Sequence, residues 1–315
     1  MTGTQQPWMI GVDVGGTQIK AALLDATERT VVTQRRPTPT RPEPVLDAVT
    51  EVVEELRARA HDEHVTLGVA VPGILDEPRG IAVYSAHFGW RDFPVCELLQ
   101  ARTGLPVALG HDVRAACVAE WRLGAGRADR DSCSALVLVT LGTGIGAGIV
   151  TDGRLLRAAG YAGQLGHVVV DPSGAECGCG QRGCLTTVAS ASALVRRYAE
   201  RTHTELSAEQ IVRRAANGDP AATAVMDDAV SSLAVALHTV VTLFGPEIVV
   251  LGGGLALAGE HLIGPLRRRT YDRLSFQRRP RIVPAALGDI AGAIGAALLG
   301  RRLAPTPADE AGWEL

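Results

Sequence analysis

The chain lacks a strong charge of either sign. Its formal net charge is only -3 over 315 residues, which gives no reason to expect a nucleic-acid partner. Short basic clusters such as Arg267–Arg269 are expected to be solvated helix faces. The opening residues, MTGTQQPWMIGVDV, have no basic region, apolar stretch and cleavage site in succession, so no signal peptide is expected. No apolar run reaches membrane-spanning length without a charge or a glycine cluster, which removes a membrane partner. A cytoplasmic location follows as the expectation. In a reducing compartment the six cysteines are expected to be thiols or metal ligands, not disulfides. Two phosphate-binding signatures are also missing: a Walker A pattern and a GxGxxG opening a helix.

Against these absences stand 46% apolar and 21% charged residues, an ordinary globular balance on a chain long enough for two cores. Two stretches open alike. WMIGVDVGGTQIKAALLD predicts a strand at 8–12, a glycine turn and a returning strand at 19–24. SALVLVTLGTGIGAGIVTDGRLL predicts strands at 135–140 and 146–150 around a second glycine turn, then a turn at Asp152-Gly153. The echo suggests two related α/β domains. Val45, Val49, Val52, Val53 and Leu56 fall on one face of an amphipathic helix. Buried strands are expected at 65–71, 106–109 and 247–251, a loop at 110–112 leading to a helix from Val113, a long helix near 221–243, and a final helix from about 290. Alternating strands and helices predict mostly parallel sheets with ligands beyond the strand C-termini.

The glycine turns fall at those ends. Asp13, Gly15, Gly16, Thr17 and Gln18 form one: glycines bring backbone N–H groups close to an anion, Thr17 adds a hydroxyl, and Asp13 adds a carboxylate suited to hydrated Mg2+. Gly142, Thr143 and Gly144 repeat the design, and Gly252, Gly253 and Gly254 leave bare backbone for a purine. Each alone would pass for a hairpin turn. Together they look like an actin/hexokinase-like ATPase fold, two duplicated domains with ATP in an interdomain cleft. The stretch GQLGHVVVDPSGAECGCGQRGC sets His167, Cys177, Cys179 and Cys184 close together. One imidazole and three thiolates make a closed tetrahedral set that suits a structural Zn2+ and leaves no position for a reactive water. Cys96, Cys117 and Cys133 have no such spacing and are expected to be core thiols.

Taken in order, DVGGTQIK, VPG, HDVRAA, LGTGIG, QLGH, CGCGQRGC and LGGG resemble the ROK (repressor, open reading frame, kinase) sugar kinases over roughly residues 8–300. Repressors of that family carry a helix-turn-helix segment first, and only seven residues precede the first strand here. The resemblance implies a glucokinase-like transfer from ATP to the primary hydroxyl of a hexose or hexose-like polyol. Asp112 would be the base that takes the hydroxyl proton; an N-cap aspartate for the following helix is the plainer role, and both can coexist. The substrate residues would be Gly73, His111, Asp112, Gln164, His167 and Thr186. The resemblance also implies a small domain of residues 1–118 plus about 290–315, and a large domain of 119–289 holding the zinc loop and most of the ATP site. A dimer or tetramer is the family habit.

Three positions depart from the family glucokinases. His111 replaces asparagine, and Gln164 and Thr186 replace two glutamates that would accept bonds from the anomeric end of the sugar. Losing two charged acceptors weakens glucose by on the order of 2–4 kcal/mol. The alternatives are therefore a C7-cyclitol or amino-sugar kinase of secondary metabolism, polyphosphate as donor, or a sugar-binding regulatory protein without activity. The segment 84–94 gathers Tyr84, Phe88, Trp90 and Phe93, either at the sugar mouth or as a loop packed on the domain edge.

Overall fold

A computed structural model describes residues 6–39, 42–62, 64–127 and 133–303. The chain divides into two compact units: residues 1–123, 154–162 and 289–315 form the first, and 124–153 with 163–288 the second.

In the first unit, β1 (Trp8–Val14) and β2 (Gln18–Leu24) form the expected glycine hairpin, continued by β3 (Thr30–Pro37). After α1 (Pro42–Arg57), β4 (Val65–Val71) runs parallel to β1. β8 (Val107–His111) then runs parallel to β4, giving the order β3-β2-β1-β4-β8. Every residue of β4 is buried, as a strand covered on both faces requires, whereas β3 alternates toward solvent as an edge strand. The five apolar residues expected on one face of α1 are all at most 1% exposed.

Between β4 and β8 the segment expected as a possible edge loop is a three-stranded meander of β5 (Ile74–Asp76), β6 (Ile81–Ser85) and β7 (Trp90–Phe93), followed by α2 (Val95–Thr103). The loop expected at 110–112 is absent. β8 continues to His111, and α3 (Asp112–Arg122) begins on the next residue. The excursion 154–162 carries the two-residue strand β11 (Arg154–Leu155).

The last helix, α9 (Ala291–Arg301), lies flush on this sheet because small residues meet small residues. A Cβ at Gly11 or Gly68 would overlap the carbonyl of Ala293 or Ala296, and one at Gly295 would overlap that of Ala115 on α3. The packing therefore ties α3, and the residue that starts it, to the sheet.

The second unit repeats the plan: β9 (Leu136–Leu141) and β10 (Ile145–Thr151) form a hairpin, and β12 (Ile248–Gly252) and β13 (Arg281–Pro284) add in parallel. The order β10-β9-β12-β13 matches β2-β1-β4-β8, so the echo of the two glycine hairpins is a repeat of topology. The sheets are mixed, not mostly parallel, because each opens on a tight hairpin that can only join antiparallel strands.

Helices α4 (Thr186–Ala189), α5 (Ala191–Thr202), α6 (Ala208–Ala216), α7 (Pro220–Phe244) and α8 (Glu260–Tyr271) complete this unit. Among the described residues, α7 is the one helix long and apolar enough to cross a membrane by length and composition. Its Val225, Ala229, Leu233, Leu237 and Val240 are buried, as in the core helix of a globular domain. The Arg267–Arg269 cluster is not merely solvated. Arg267 donates to the Ile282 carbonyl at 3.0 Å, and Arg269 to Ser231 Oγ at 2.7 Å, tying α8 to β13 and to α7.

Candidate functional site

The sequence-predicted residues of the first unit collect at the C-terminal ends of its three parallel strands. β1 leads to Asp13 and the Gly15–Gln18 turn, β4 to Gly73, and β8 to His111 and Asp112. This is the edge where such sheets hold ligands. The Gly15 N–H is used inside its own turn, donating to the Gln18 carbonyl at 3.0 Å, and Thr38 Oγ1 donates to the Gly15 carbonyl at 2.6 Å. Gly16 and Thr17, both exposed at the tip, are left as the positions that can meet a phosphate. Gly73 has a φ of 131°, and a Cβ there would overlap the Tyr84 carbonyl. Its glycine is required to bring the meander against β4.

Asp112 is oriented from two sides. His111 Nδ1 lies 2.9 Å from Asp112 Oδ1, and the Val113 N–H donates to the same oxygen at 2.7 Å. Val113 N is also 3.3 Å from His111 Nδ1. A ring nitrogen that donates its proton to a carboxylate has no lone pair to accept with, so the shorter contact takes the Val113 N–H. Asp112 thus combines the expected N-cap chemistry with a fixed side chain facing the strand ends. Burial pushes its pKa up, but the His111 hydrogen bond, the Val113 N–H and the Arg114 charge together hold it below the usual carboxylate value.

Asp13 behaves in the opposite way. Burial, then the nearby Asp112 charge, raise its pKa to about 7 against the partial relief of Lys20. Lys20 is its cross-strand partner and also pairs with Asp289 at 3.4 Å. Gly292 of α9 leaves the space the Asp13 carboxyl occupies. A desolvated carboxylate beside a second one fits a divalent cation, so the donor set suits Mg2+ here.

Arg114, which sequence reasoning missed, is 2% exposed and holds α3 in place. It donates to Glu77 Oε1 at 2.8 Å and to the Gly160 carbonyl at 3.0 Å, while Arg157 pairs with Glu77 Oε2 at 3.0 Å. No motif marks it, because its partner lies 37 positions away in the chain.

In the second unit, β9 leads to Gly142–Gly144 and β12 to Gly252–Gly254, so neighbouring strands bring the two glycine turns together. Gly142 donates to the Gly144 carbonyl at 3.0 Å, and its own carbonyl accepts from Ala191 at 2.8 Å. Gly253, with φ 84°, sits where a Cβ would meet the Leu141 backbone, so only glycine fits. Thr143, Gly144, Gly253 and Gly254 are exposed. The segment carrying Gln164 and His167 lies against β10: Ala147 donates to the Gly163 carbonyl at 2.8 Å, and Gly166 packs on the Ile145 carbonyl. Gln164 is exposed, and Thr186 opens α4.

His167, Cys177, Cys179 and Cys184 offer ligand atoms that all lie within 4.8 Å of one another. Cys179 and Cys184 sulfurs are 3.6 Å apart, and His167 Nδ1 is 3.7 Å from Cys177 Sγ. These spacings are close to the roughly 3.8 Å edge of a tetrahedron with 2.3 Å metal–sulfur bonds. Burial and the neighbouring thiols push the Cys184 thiol up to about 12. A cation would reverse that penalty, so the four residues fit Zn2+. Cys117 and Cys133 are buried as expected, while Cys96 is half-buried with its thiol pushed up to about 11 by burial.

The profile of the ROK family matches residues 9–302. A glucokinase from Thermotoga maritima is 37% identical over 309 residues, covering 92% of this chain and 96% of its own. An N-acetylmannosamine kinase from Salmonella arizonae is 34% identical over 262 residues, covering 80% and 85%. Among solved structures, a ROK family glucokinase from Streptomyces griseus in complex with glucose and AMPPNP superposes with a TM-score of 0.81 at 31% identity, covering 94% of this chain and 99% of that one. The chain belongs to the ROK family, and its fold is the actin/hexokinase-like ATPase fold.

Proposed function

We propose that the chain is an ATP-dependent sugar kinase that phosphorylates the primary hydroxyl of a hexose or hexose-like polyol. The observation that carries this reading is Asp112, a carboxylate fixed by His111 and Val113 at the start of α3 and kept ionised at neutral pH. Phosphoryl transfer to an alcohol needs little covalent chemistry from the protein beyond an acceptor for the hydroxyl proton and in-line placement. The Thermotoga and Streptomyces relatives are both glucokinases.

In this reading Asp112 orients the acceptor hydroxyl and takes its proton, and the Gly16–Thr17 tip and the Gly142–Gly144 turn hold the donor phosphates. Gly252–Gly254 faces the purine. Mg2+, bound through the phosphates and Asp13, would neutralise their charge. Zn2+ would fix the 163–187 loop. Because His167 turns Nδ1 toward the thiols, its Nε2 is the nitrogen that can bond a sugar hydroxyl. Gln164 and Thr186 complete the acceptor site with neutral groups.

A second reading, an N-acyl amino sugar as acceptor, is favoured by Gln164, whose amide can donate to a carbonyl as a glutamate cannot. It agrees with the N-acetylmannosamine kinase relative. A panel of hexoses, N-acetylhexosamines and cyclitols, with ATP or polyphosphate as donor, tests both when the product is read by phosphorus NMR. The expected product is a 6-phosphate. Asp112→Ala should lower turnover by about 10²–10⁴-fold. No turnover with any acceptor, alongside sugar-induced thermal stabilisation, would instead identify a sugar-binding regulator.

A further inference from the structure

We propose that His87 is a further phosphoryl-contacting residue, seated on the donor turn by the missing side chain of Gly16. The inference rests on the kinase reading above and deepens it. His87 lies between β6 and β7 and is exposed, yet it is firmly mounted. Its ring meets Phe88 edge-on at 5.7 Å, Phe88 meets Trp90 at 4.7 Å, and Trp90 stacks on Phe93 at 4.6 Å. Phe88 and Trp90 are 6% and 3% exposed, so the series of rings runs from the core out to the imidazole.

The far end of that imidazole rests on Gly16. A Cβ built at Gly16 would overlap His87 Nε2, Cδ2 and Cε1, and its three nearest atoms all belong to that ring. Gly16 is not in the left-handed region that favours glycine, so the turn's own geometry does not demand it. Gly15 differs: a Cβ there would touch only the Gln18 carbonyl, at 3.0 Å. The space at Gly16 is therefore shaped for the histidine ring.

The location gives the ring its chemistry. The tip of the turn exposes Gly16 and Thr17, the positions that meet the donor phosphates in the proposed function, and Nε2 stands on that same tip. Neither ring nitrogen has a hydrogen-bond partner among the described residues. An imidazole N–H held beside a phosphate-binding turn donates to an anionic oxygen, the stronger kind of hydrogen bond. The proposed contact is to the terminal phosphoryl group, the one that ADP lacks. That is the phosphoryl group that is transferred.

The test compares ATP and ADP affinities, each with Mg2+, by calorimetry, which needs no acceptor. The wild type should prefer ATP, and H87A should lose about 10- to 100-fold of that preference, the size of one hydrogen bond to a charged group. ADP affinity should stay the same, and H87Q, which keeps a donor, should recover part of the loss. H87F, which keeps the ring and its packing but removes the donor, should lose the preference as H87A does. An unchanged ATP/ADP ratio in H87A would overturn the proposal. Should H87A fail to fold by circular dichroism, H87F decides by the same ratio. A wild type that binds neither nucleotide would instead overturn the kinase reading and this inference with it, an outcome distinct from a wild type that prefers ATP beside an H87A that does so equally.

Discussion

Asp13 and Asp112 show how one environment can separate two carboxylates. Asp112 receives hydrogen bonds and stays ionised; Asp13 receives none among the described residues and is raised to about 7. An unfolded aspartate titrates near 3.8, so between that pH and about 7 the folded chain binds one more proton than the unfolded one. Stability should therefore fall as pH rises across this window and level off above it. The slope is about 1.4 kcal/mol per pH unit at most. Asp13→Asn, which removes the titration, is expected to raise the melting temperature of the metal-free protein at pH 8 by several degrees and to change it little near pH 4. Melting curves at both pH values check this, and equal shifts at the two would show that Asp13 is not the titrating group.

Lys20, the only lysine in the chain, opposes the Asp13 charge from the next strand, so Lys20→Met should extend the same pH dependence to higher pH. Aspartates and glycines at strand ends were legible in the sequence because strand termini and turns are local signals. The Lys20–Asp289 pair, the Glu77–Arg114 pair and the seat of His87 on Gly16 were not, since each joins positions far apart in the chain.

At the scale of elements, α3 decides where Asp112 points. The helix is held by α9 packing on Ala115 and by Arg114 bound to Glu77 and the Gly160 carbonyl. Glu77→Gln would leave Arg114 buried beside a neutral amide and is expected to destabilise the fold by about 3 kcal/mol. Under the proposed function it should also lower kcat more than it raises the acceptor KM, because Asp112 would lose its fixed direction while the proposed sugar-binding residues Gln164, His167 and Thr186 are untouched. Urea unfolding and steady-state kinetics read the two effects, and a stable variant with unaltered kcat would show that α3 needs no such anchor. The periodicity of α1 and the largely apolar run of β4 announced those elements plainly. The meander of 74–93 did not, because strands of three to five residues interrupted by turns carry too little alternation to detect. The start of α3 was misplaced by one residue because His111 supplies the extended backbone of the cap without a typical cap side chain.

For the molecule as a whole, the proposed metal clip concerns one unit only. All four candidate ligands belong to the second unit, and a continuous set of bonds leads from them to its glycine turn. Cys184 bridges to Val169, Leu185 donates to Val168 at 2.8 Å, α4 follows, and Ala191 donates to the Gly142 carbonyl at 2.8 Å. Loss of the metal should therefore loosen 163–191 and then Gly142–Gly144, while β1, β2, β4 and β8, whose hydrogen bonds lie wholly within the first unit, stay intact. Treatment with a strong chelator is expected to lower the first melting step by about 10 °C or more and to split one transition into two, since two-state behaviour fails once one unit loses its ligand-derived stability. Hydrogen exchange should place the early opening in the second unit. Chelation that shifts both units together, or neither, would show that no metal supports the loop.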